Sequence, residues 1–320
     1  MKAAVCARYG PPEVLQIQDV ATPVPSDDEV LLRVRAAALN PLDWYLMRGR
    51  PYVSRLFFGL RAPKISRPGR DLAGEVVAVG RNVTGLKPRD GVYGTGLGAL
   101  AEYACPPARA ISLKPANMTF EQAAAVPVAG YTALQGLRDW AHIQAGQRVL
   151  VNGASGGVGT FVVQIARAFG AHVTGVCSTR NVELVRSIGA ERVIDYTQEN
   201  FTDVTQRYDI VFDCIGNHSL SAIRRVLEPG GVCIIVGAPK KVGPILARMF
   251  HAFVLSRVAG QAFVAFIAKS NKEDLVTLHD LMAAGKLTPV IDKCYPLSEV
   301  SAAVRHLAEG HARGKVVIAI

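Results

Sequence analysis

One stretch limits what this chain can become: Val149-Leu-Val-Asn-Gly153-Ala-Ser-Gly156-Gly157-Val-Gly159, running on through Thr160 to Gly170. An apolar run of strand type meets closely spaced glycines. Val158, Phe161, Val162, Ile165 and Phe169 then recur at helical spacing. A strand, a tight turn and a helix N-terminus together make an anion site, because unpaired backbone N–H groups point outward and the helix dipole favours negative charge. Small residues are needed there, since a side chain would hold a pyrophosphate away from the backbone. The pattern is A-x-G-x-x-G: Ala154 stands where a glycine is usual, and Ser155, Gly156, Gly157, Val158 and Gly159 complete the cradle.

The surroundings strengthen that reading. His172 to Ser178 reads as a second strand, at the distance where such a motif places its ribose-reading position. Residues 193–196, 208–213 and 232–237 read as further buried strands with helical segments between them. This alternation predicts an α/β domain with a doubly wound parallel sheet that binds a dinucleotide. The second strand ends in Cys177-Ser178-Thr179-Arg180-Asn181, with no acid before Glu183 to accept from the 2′-hydroxyl of NAD. Ser178 and Thr179 can bond a 2′-phosphate and Arg180 can neutralise it, so the expected cofactor is NADPH.

At 320 residues the chain can hold two domains, each with its own core. The formal net charge is +10, but Lys and Arg are interspersed with acids and form no basic block with aromatics, so nucleic acid is not an expected partner. The six cysteines are far apart and none has metal-site spacing, which fits reduced thiols and a cytoplasmic location. Met1-Lys-Ala-Ala-Val opens directly on a strand pattern, without the look of a targeting segment. Residues 1–120 are rich in short strand candidates set off by Gly and Pro, and predict an irregular antiparallel barrel; a helix begun at Thr119 marks the change to the nucleotide domain. Near residues 244–257 lies a strongly apolar segment flanked by Lys and Arg, too short to span a bilayer. It reads as the lining of a cleft or a subunit contact, with membrane-surface contact the alternative.

With these pieces in place the sequence resembles the medium-chain dehydrogenase/reductase superfamily over essentially its whole length, and within it the zinc-independent quinone oxidoreductase, zeta-crystallin-like branch. Gly146-Gln147, Leu150, Ala154-Ser155-Gly156-Gly157, Gly159, Gln164 and Arg167 carry that resemblance, together with Asn40-Pro-Leu-Asp43, Pro68 to Glu75, Pro127 to Thr132 and Gly314 to Ile318. The resemblance implies a GroES-like catalytic domain over 1–120, rejoined by 286–320, and a Rossmann NADP-binding domain over 121–285. It also implies cofactor contacts at Thr132, Tyr196, Gly216, Gly237 and Lys315, and a homodimer by analogy. Zinc-dependent members place Cys where Asn40 stands, a His-Glu pair where Arg70-Asp71 stands, and a further Cys near Pro127. Asn, Arg and Pro supply neither thiolate nor imidazole, so no metal is expected.

Hydride transfer without a metal requires an acceptor that is easily reduced, such as a quinone or an α,β-unsaturated carbonyl. In Asn40-Pro-Leu-Asp-Trp-Tyr45, the Asn40 amide and the Tyr45 phenol are the candidate catalytic groups, one to hold a carbonyl and one to donate a hydrogen bond or proton. The expectation is thus an NADPH-dependent, zinc-independent oxidoreductase of quinones or enones. Two alternatives stand beside it: an enoyl-thioester reductase, and a non-enzymatic NADPH-binding protein attached to membrane or RNA.

Overall fold

A computed structural model describes every residue except 51, 53, 54, 204, 238–250, 254, 256, 258 and 259. Most of the apolar 244–257 segment therefore lies outside the described residues. In chain order the elements begin with β1 (Lys2–Cys6), β2 (Leu15–Asp19), β3 (Val30–Leu39), α1 (Pro41–Arg48), α2 (Arg55–Phe58) and β4 (Asp71–Val79). There follow β5 (Gly91–Thr95), β6 (Tyr103–Ala104), β7 (Ile111–Leu113), α3 (Phe120–Ala124) and α4 (Pro127–Gln135). The nucleotide-motif region supplies β8 (Arg148–Asn152), α5 (Gly157–Ala168), β9 (His172–Cys177), α6 (Val182–Ser187) and β10 (Arg192–Asp195). Beyond it come β11 (Tyr208–Asp213), α7 (Leu220–Val226), β12 (Leu227–Ile235) and β13 (Ala262–Ala265). The chain closes with α8 (Lys272–Ala283), β14 (Ile291–Pro296), α9 (Val300–Glu309) and β15 (Lys315–Ala319).

One compact unit comprises residues 132–268. Its six strands lie in the order β10-β9-β8-β11-β12-β13, and every neighbouring pair is parallel. Chain order reverses beside β8, so the crevice for a ligand opens at the carboxyl ends of β8 and β11. The strands read as near-continuous apolar runs because both faces are covered. Phe161, Val162 and Ile165 of α5 are fully buried, each contributing about 1.5–3 kcal/mol of hydrophobic stabilisation. Leu150, Val176, Ile194, Val211 and Cys233 carry the core across five strands.

The other unit comprises 1–131 and 269–320. A seven-stranded, mainly antiparallel sheet runs β14-β15-β3-β4-β5-β7 with β6 beside β3, and β1 pairs with β2 in a separate ribbon. The division differs from the expected boundaries at both crossings. Thr119 caps α3 as the sequence suggests, its hydroxyl accepting from the Gln122 N–H at 3.2 Å. That helix, however, packs on β3, β4, β5 and β15. Likewise the buried Tyr93 hydroxyl donates to Leu275 O at 2.7 Å, which fastens α8 to β5. Helices α3 and α8, both inside the expected 121–285 span, thus fall in the antiparallel unit of this division.

Candidate active site

In the parallel unit the Gly turn follows β8 directly. Gly153 takes φ +86°, a left-handed conformation that favours glycine. A Cβ on Gly159 would come within 2.1 Å of Gly153 O, so α5 starts flush against the turn only because residue 159 has no side chain. A Cβ on Gly156 would meet only Gly153 O, at 3.4 Å, which leaves open space above the turn. Gly156 caps α5 without a side-chain hydrogen bond, and the first turn holds no acid. The N–H groups of Gly157, Val158 and Gly159 therefore open the helix without intrahelical acceptors. This is a cradle that fits a pyrophosphate. Ala154 is tolerated because it faces inward: it is fully buried, and its Cβ is 3.0 Å from where a Cβ on Gly175 of β9 would stand.

The ends of the next strands surround that turn. Asn181, which sequence reasoning passed over, is buried; its amide Nδ2 donates to Ser155 Oγ at 3.0 Å and Ser178 Oγ at 3.3 Å, while its Oδ1 is buried without a partner. It ties the phosphate turn to the end of β9. Thr179 donates its hydroxyl to Asp195 Oδ2 at 2.6 Å and meets the Thr197 hydroxyl at 2.9 Å. Asp195 is thus an acid beside the expected ribose region, contributed by β10 and not by the segment after β9. Hydroxyl donation from Thr179 holds its carboxyl below the usual range. Arg180 and Tyr196 are exposed, and Tyr196 N–H donates to Cys177 O at 3.0 Å. The buried Asp213 carboxylate accepts from Gly216 N at 2.9 Å and from Asn152 Nδ2 at 2.8 Å. A Cβ on Gly237 would strike Ile215 N at 2.4 Å, so the glycine is needed for close packing of the two strand ends. The residues from Ala154 to Gly159, Ser178 to Arg180, Tyr196, Gly216 and Gly237 all follow carboxyl ends of one parallel sheet. Thr132 is half-buried on α4.

The antiparallel unit holds a different kind of centre. Its register sets Val316 opposite Leu39 and Asp71 opposite Ala38, which brings Asn40, Asp71 and Lys315 together. Lys315 Nζ donates to Asn40 Oδ1 at 2.6 Å and to Asp71 Oδ2 at 3.1 Å. Asn40 Nδ2 also donates to Asp71 Oδ2, at 3.0 Å, and Val128 N–H donates to Asp71 Oδ1 at 3.1 Å. All three side chains are buried. Burial pushes the Asp71 carboxyl upward, and the Lys315 charge and the Asn40 amide oppose it. Beneath them, Asp43 accepts the Asn40 backbone N–H at 2.8 Å; loss of hydration pushes its carboxyl up to about 6. The resemblance assigned Lys315 to the cofactor, but here its ammonium holds Asn40 and Asp71.

Tyr45 lies on α1, 38 % exposed. Asn40, by contrast, keeps one amide N–H beyond the one given to Asp71. A cavity of about 210 Å³ lies on the opposite flank of α1, lined by Asp43, Leu46, Met47, Phe58, Ile65 and Arg70 among others. Neither Asn40 nor Tyr45 lines it. Among the described residues, no cluster of His, Cys, Asp and Glu has the makings of a metal site. Burial raises the thiols of Cys105 and Cys177 to about 11, so neither is a ready nucleophile at neutral pH.

Comparison with known proteins places this geometry. Residues 26–116 match the family model of the alcohol dehydrogenase GroES-like domain, and residues 188–318 match that of the zinc-binding dehydrogenases. The 2-methylene-furan-3-one reductase of Solanum lycopersicum is 38% identical over 99% of this chain and 79% of its own length. The NADPH-dependent alkenal/one oxidoreductase of Arabidopsis thaliana chloroplasts is 37% identical, again over 99% of this chain and 79% of its own. The quinone oxidoreductase of Coxiella burnetii superposes with a TM-score of 0.87 at 30% identity, over 100% of this chain and 99% of that one. The chain belongs to the medium-chain dehydrogenase/reductase superfamily, in its quinone oxidoreductase branch.

Proposed function

We propose that this protein is an NADPH-dependent reductase of quinones and α,β-unsaturated carbonyls that works without a metal. The observation that carries the reading is the buried Lys315–Asp71–Asn40 cluster. At the positions where zinc-dependent members hold their metal, this chain offers one carboxylate and one amide, both already engaged by a fixed ammonium. Arg70 and Pro127 add no ligand. A simple ketone would therefore lack a polarising Lewis acid, whereas a conjugated acceptor spreads the incoming charge over its own π-system. The names of the tomato and Arabidopsis relatives, a 2-methylene-furan-3-one reductase and an alkenal/one oxidoreductase, support that substrate class.

When bound, NADPH supplies a hydride to an electron-poor carbon. The residues suited to hold it are the Gly156–Gly159 backbone for the pyrophosphate and Ser178 with Arg180 for the 2′-phosphate. Asn181 fixes Ser155 and Ser178 in place. On the acceptor's side, Tyr45 presents a phenol on α1 that can donate to the oxygen on which negative charge develops. Asn40 is held in a single orientation by Lys315 and Asp71, so its remaining amide N–H is preorganised at no cost during turnover. Homodimer formation, by analogy, and a cytoplasmic location, from the widely spaced cysteines, complete the proposal.

The test follows cofactor oxidation at 340 nm with quinones, enones, an enoyl thioester and simple ketones, with and without chelator. NADPH-dependent, chelator-insensitive turnover of quinones or enones is expected. Chelator-sensitive ketone reduction would overturn the metal-free reading, and turnover confined to the thioester would replace the substrate class.

A further inference from the structure

From Trp44 to Arg70 the chain carries seven Arg and Lys residues and no Asp or Glu. Among the described residues none of these cations forms an ion pair. Aromatic faces hold three of them instead: Arg48 lies 4.7 Å from the Trp44 ring, Arg50 lies 5.3 Å from Tyr52, and Arg55 lies 4.4 Å from Tyr9. Their positive charge is therefore not neutralised locally. The same stretch carries large apolar side chains into solvent: Leu56 is 64 %, Phe57 72 % and Leu60 66 % exposed, with Tyr52 and Ile65 exposed beside them.

The lobe is built to keep those side chains outside. Its base is fastened by Tyr9, whose hydroxyl donates to Gly59 O at 2.6 Å and whose ring carries the Arg55 guanidinium; within the lobe Arg55 Nε donates to Gly49 O at 3.0 Å. A tight turn follows α2, where Gly59 takes φ +119° and Lys64 N–H donates back to Phe58 O at 2.8 Å. A Cβ on Gly59 would strike Ala62 O at 2.0 Å. The turn leaves Leu56, Phe57 and Leu60 projecting, with Arg50, Arg61 and Lys64 exposed around them.

We infer that this lobe docks the protein on an anionic lipid bilayer, independently of the catalytic reading above. Exposed apolar residues alone would suit any apolar partner. Joined to exposed cations that form no ion pair among the described residues, they match an interface that is apolar below and negatively charged at its surface. Leucine and phenylalanine side chains enter the acyl boundary, while the guanidinium and ammonium groups reach the phosphates. Each cation near such a surface strengthens binding by about fivefold, so the lobe can hold the protein reversibly without a spanning segment.

Flotation of the whole protein with vesicles tests this. The vesicles are phosphatidylcholine alone, or phosphatidylcholine mixed with phosphatidylserine, each at low and high salt. Binding is expected only to the mixed vesicles and only at low salt. Arg50→Gln/Arg61→Gln should lower partitioning by about twenty-fivefold, from two cations at about fivefold each. Leu56→Ser/Leu60→Ser should weaken binding that salt does not recover. Melting temperature and NADPH affinity of both variants should stay as in the wild type, because all four side chains are exposed. Equal flotation with neutral vesicles would overturn the proposal, as would unchanged flotation of both variants. Self-association that disappears in the leucine variant, with no flotation of the wild type, would assign the lobe to a second copy of the chain instead.

Discussion

The Lys315 ammonium stands 3.1 Å from the Asp71 carboxylate, with both side chains sealed from solvent and Asn40 bonded to each. Removing one charge of such a pair strands the other in a medium that hydrates it poorly. Lys315→Met is therefore expected to cost about 3–5 kcal/mol in urea unfolding. The double variant Lys315→Met/Asp71→Leu should lose less than the sum of its single variants. Strict additivity in that cycle would mean the two groups do not depend on each other.

Asp43 gives stability an unusual pH dependence. Its carboxyl is raised from 3.8 to about 6 in the folded protein, so the folded state binds this proton more tightly than the unfolded chain. Its contribution is most favourable below pH 3.8 and is lost as pH rises through about 6. At about 1.4 kcal/mol per pH unit the full effect is about 3 kcal/mol at most. Asp43→Asn keeps an acceptor for the Asn40 N–H and removes the titration. It should be the more stable protein at pH 7.5, and its advantage should shrink as the pH is lowered toward 4. An unfolding midpoint difference that does not vary with pH would refute this assignment.

For Arg180, the comparison of two cofactors is decisive. A charge-assisted contact to the 2′-phosphate contributes about 1.5–3 kcal/mol, so Arg180→Ala should reduce the preference for NADPH over NADH by about tenfold or more. Binding of NADH itself should barely change. If both cofactors weaken alike, Arg180 acts on something they share.

Asn181 acts through its neighbours. Replacing it with Ala unties Ser155 from Ser178, and KM for NADPH should rise about fivefold to tenfold while kcat changes little. Because Asn181 Oδ1 has no partner in the fold, the melting temperature should move only slightly. A matching fall in kcat with no change in KM would point to a role outside cofactor positioning.

The Tyr45 phenol is assigned to the oxygen that gains charge during reduction. Tyr45→Phe should lower kcat by about a hundredfold if that donation is general-acid catalysis. NADPH affinity, measured by fluorescence, should be unchanged. Full activity in the phenylalanine variant would leave Tyr45 as a packing residue beside Trp44.

The nucleotide unit was readable because its constraints are local. Gly159 must lack a side chain for α5 to meet Gly153, and β8, β9 and β11 must be apolar on both faces; each leaves a contiguous trace in sequence. Ala154 fits the same logic once its inward direction is known. The polar cluster left no such trace. Lys315 is 244 residues from Asp71, and Asp71 is 31 from Asn40, so only the register of β15, β3 and β4 unites them. Asp195 was missed for a similar reason, since it reaches Thr179 from the neighbouring strand. Helix α1 did carry a readable start, with Pro41 at its first position and Asp43 reaching back to the Asn40 N–H. The place of α8 beside β5 left no local trace either, since it rests on the long-range Tyr93–Leu275 hydrogen bond.

β15 lies between β14 and β3 in the antiparallel sheet, although 137 residues of the parallel unit separate the two segments that build that sheet. During synthesis the parallel unit emerges with all its strands in hand and can fold on its own schedule. The unit encoded first must wait, holding Ala36–Leu39 of β3 without their edge partner until β15 leaves the ribosome. Lys315, the first residue of that strand, then reaches Asp71 and Asn40 as the sheet is completed. Arrested nascent chains that stop short of Lys315 should therefore expose the β3 edge to chaperones while already retaining NADPH.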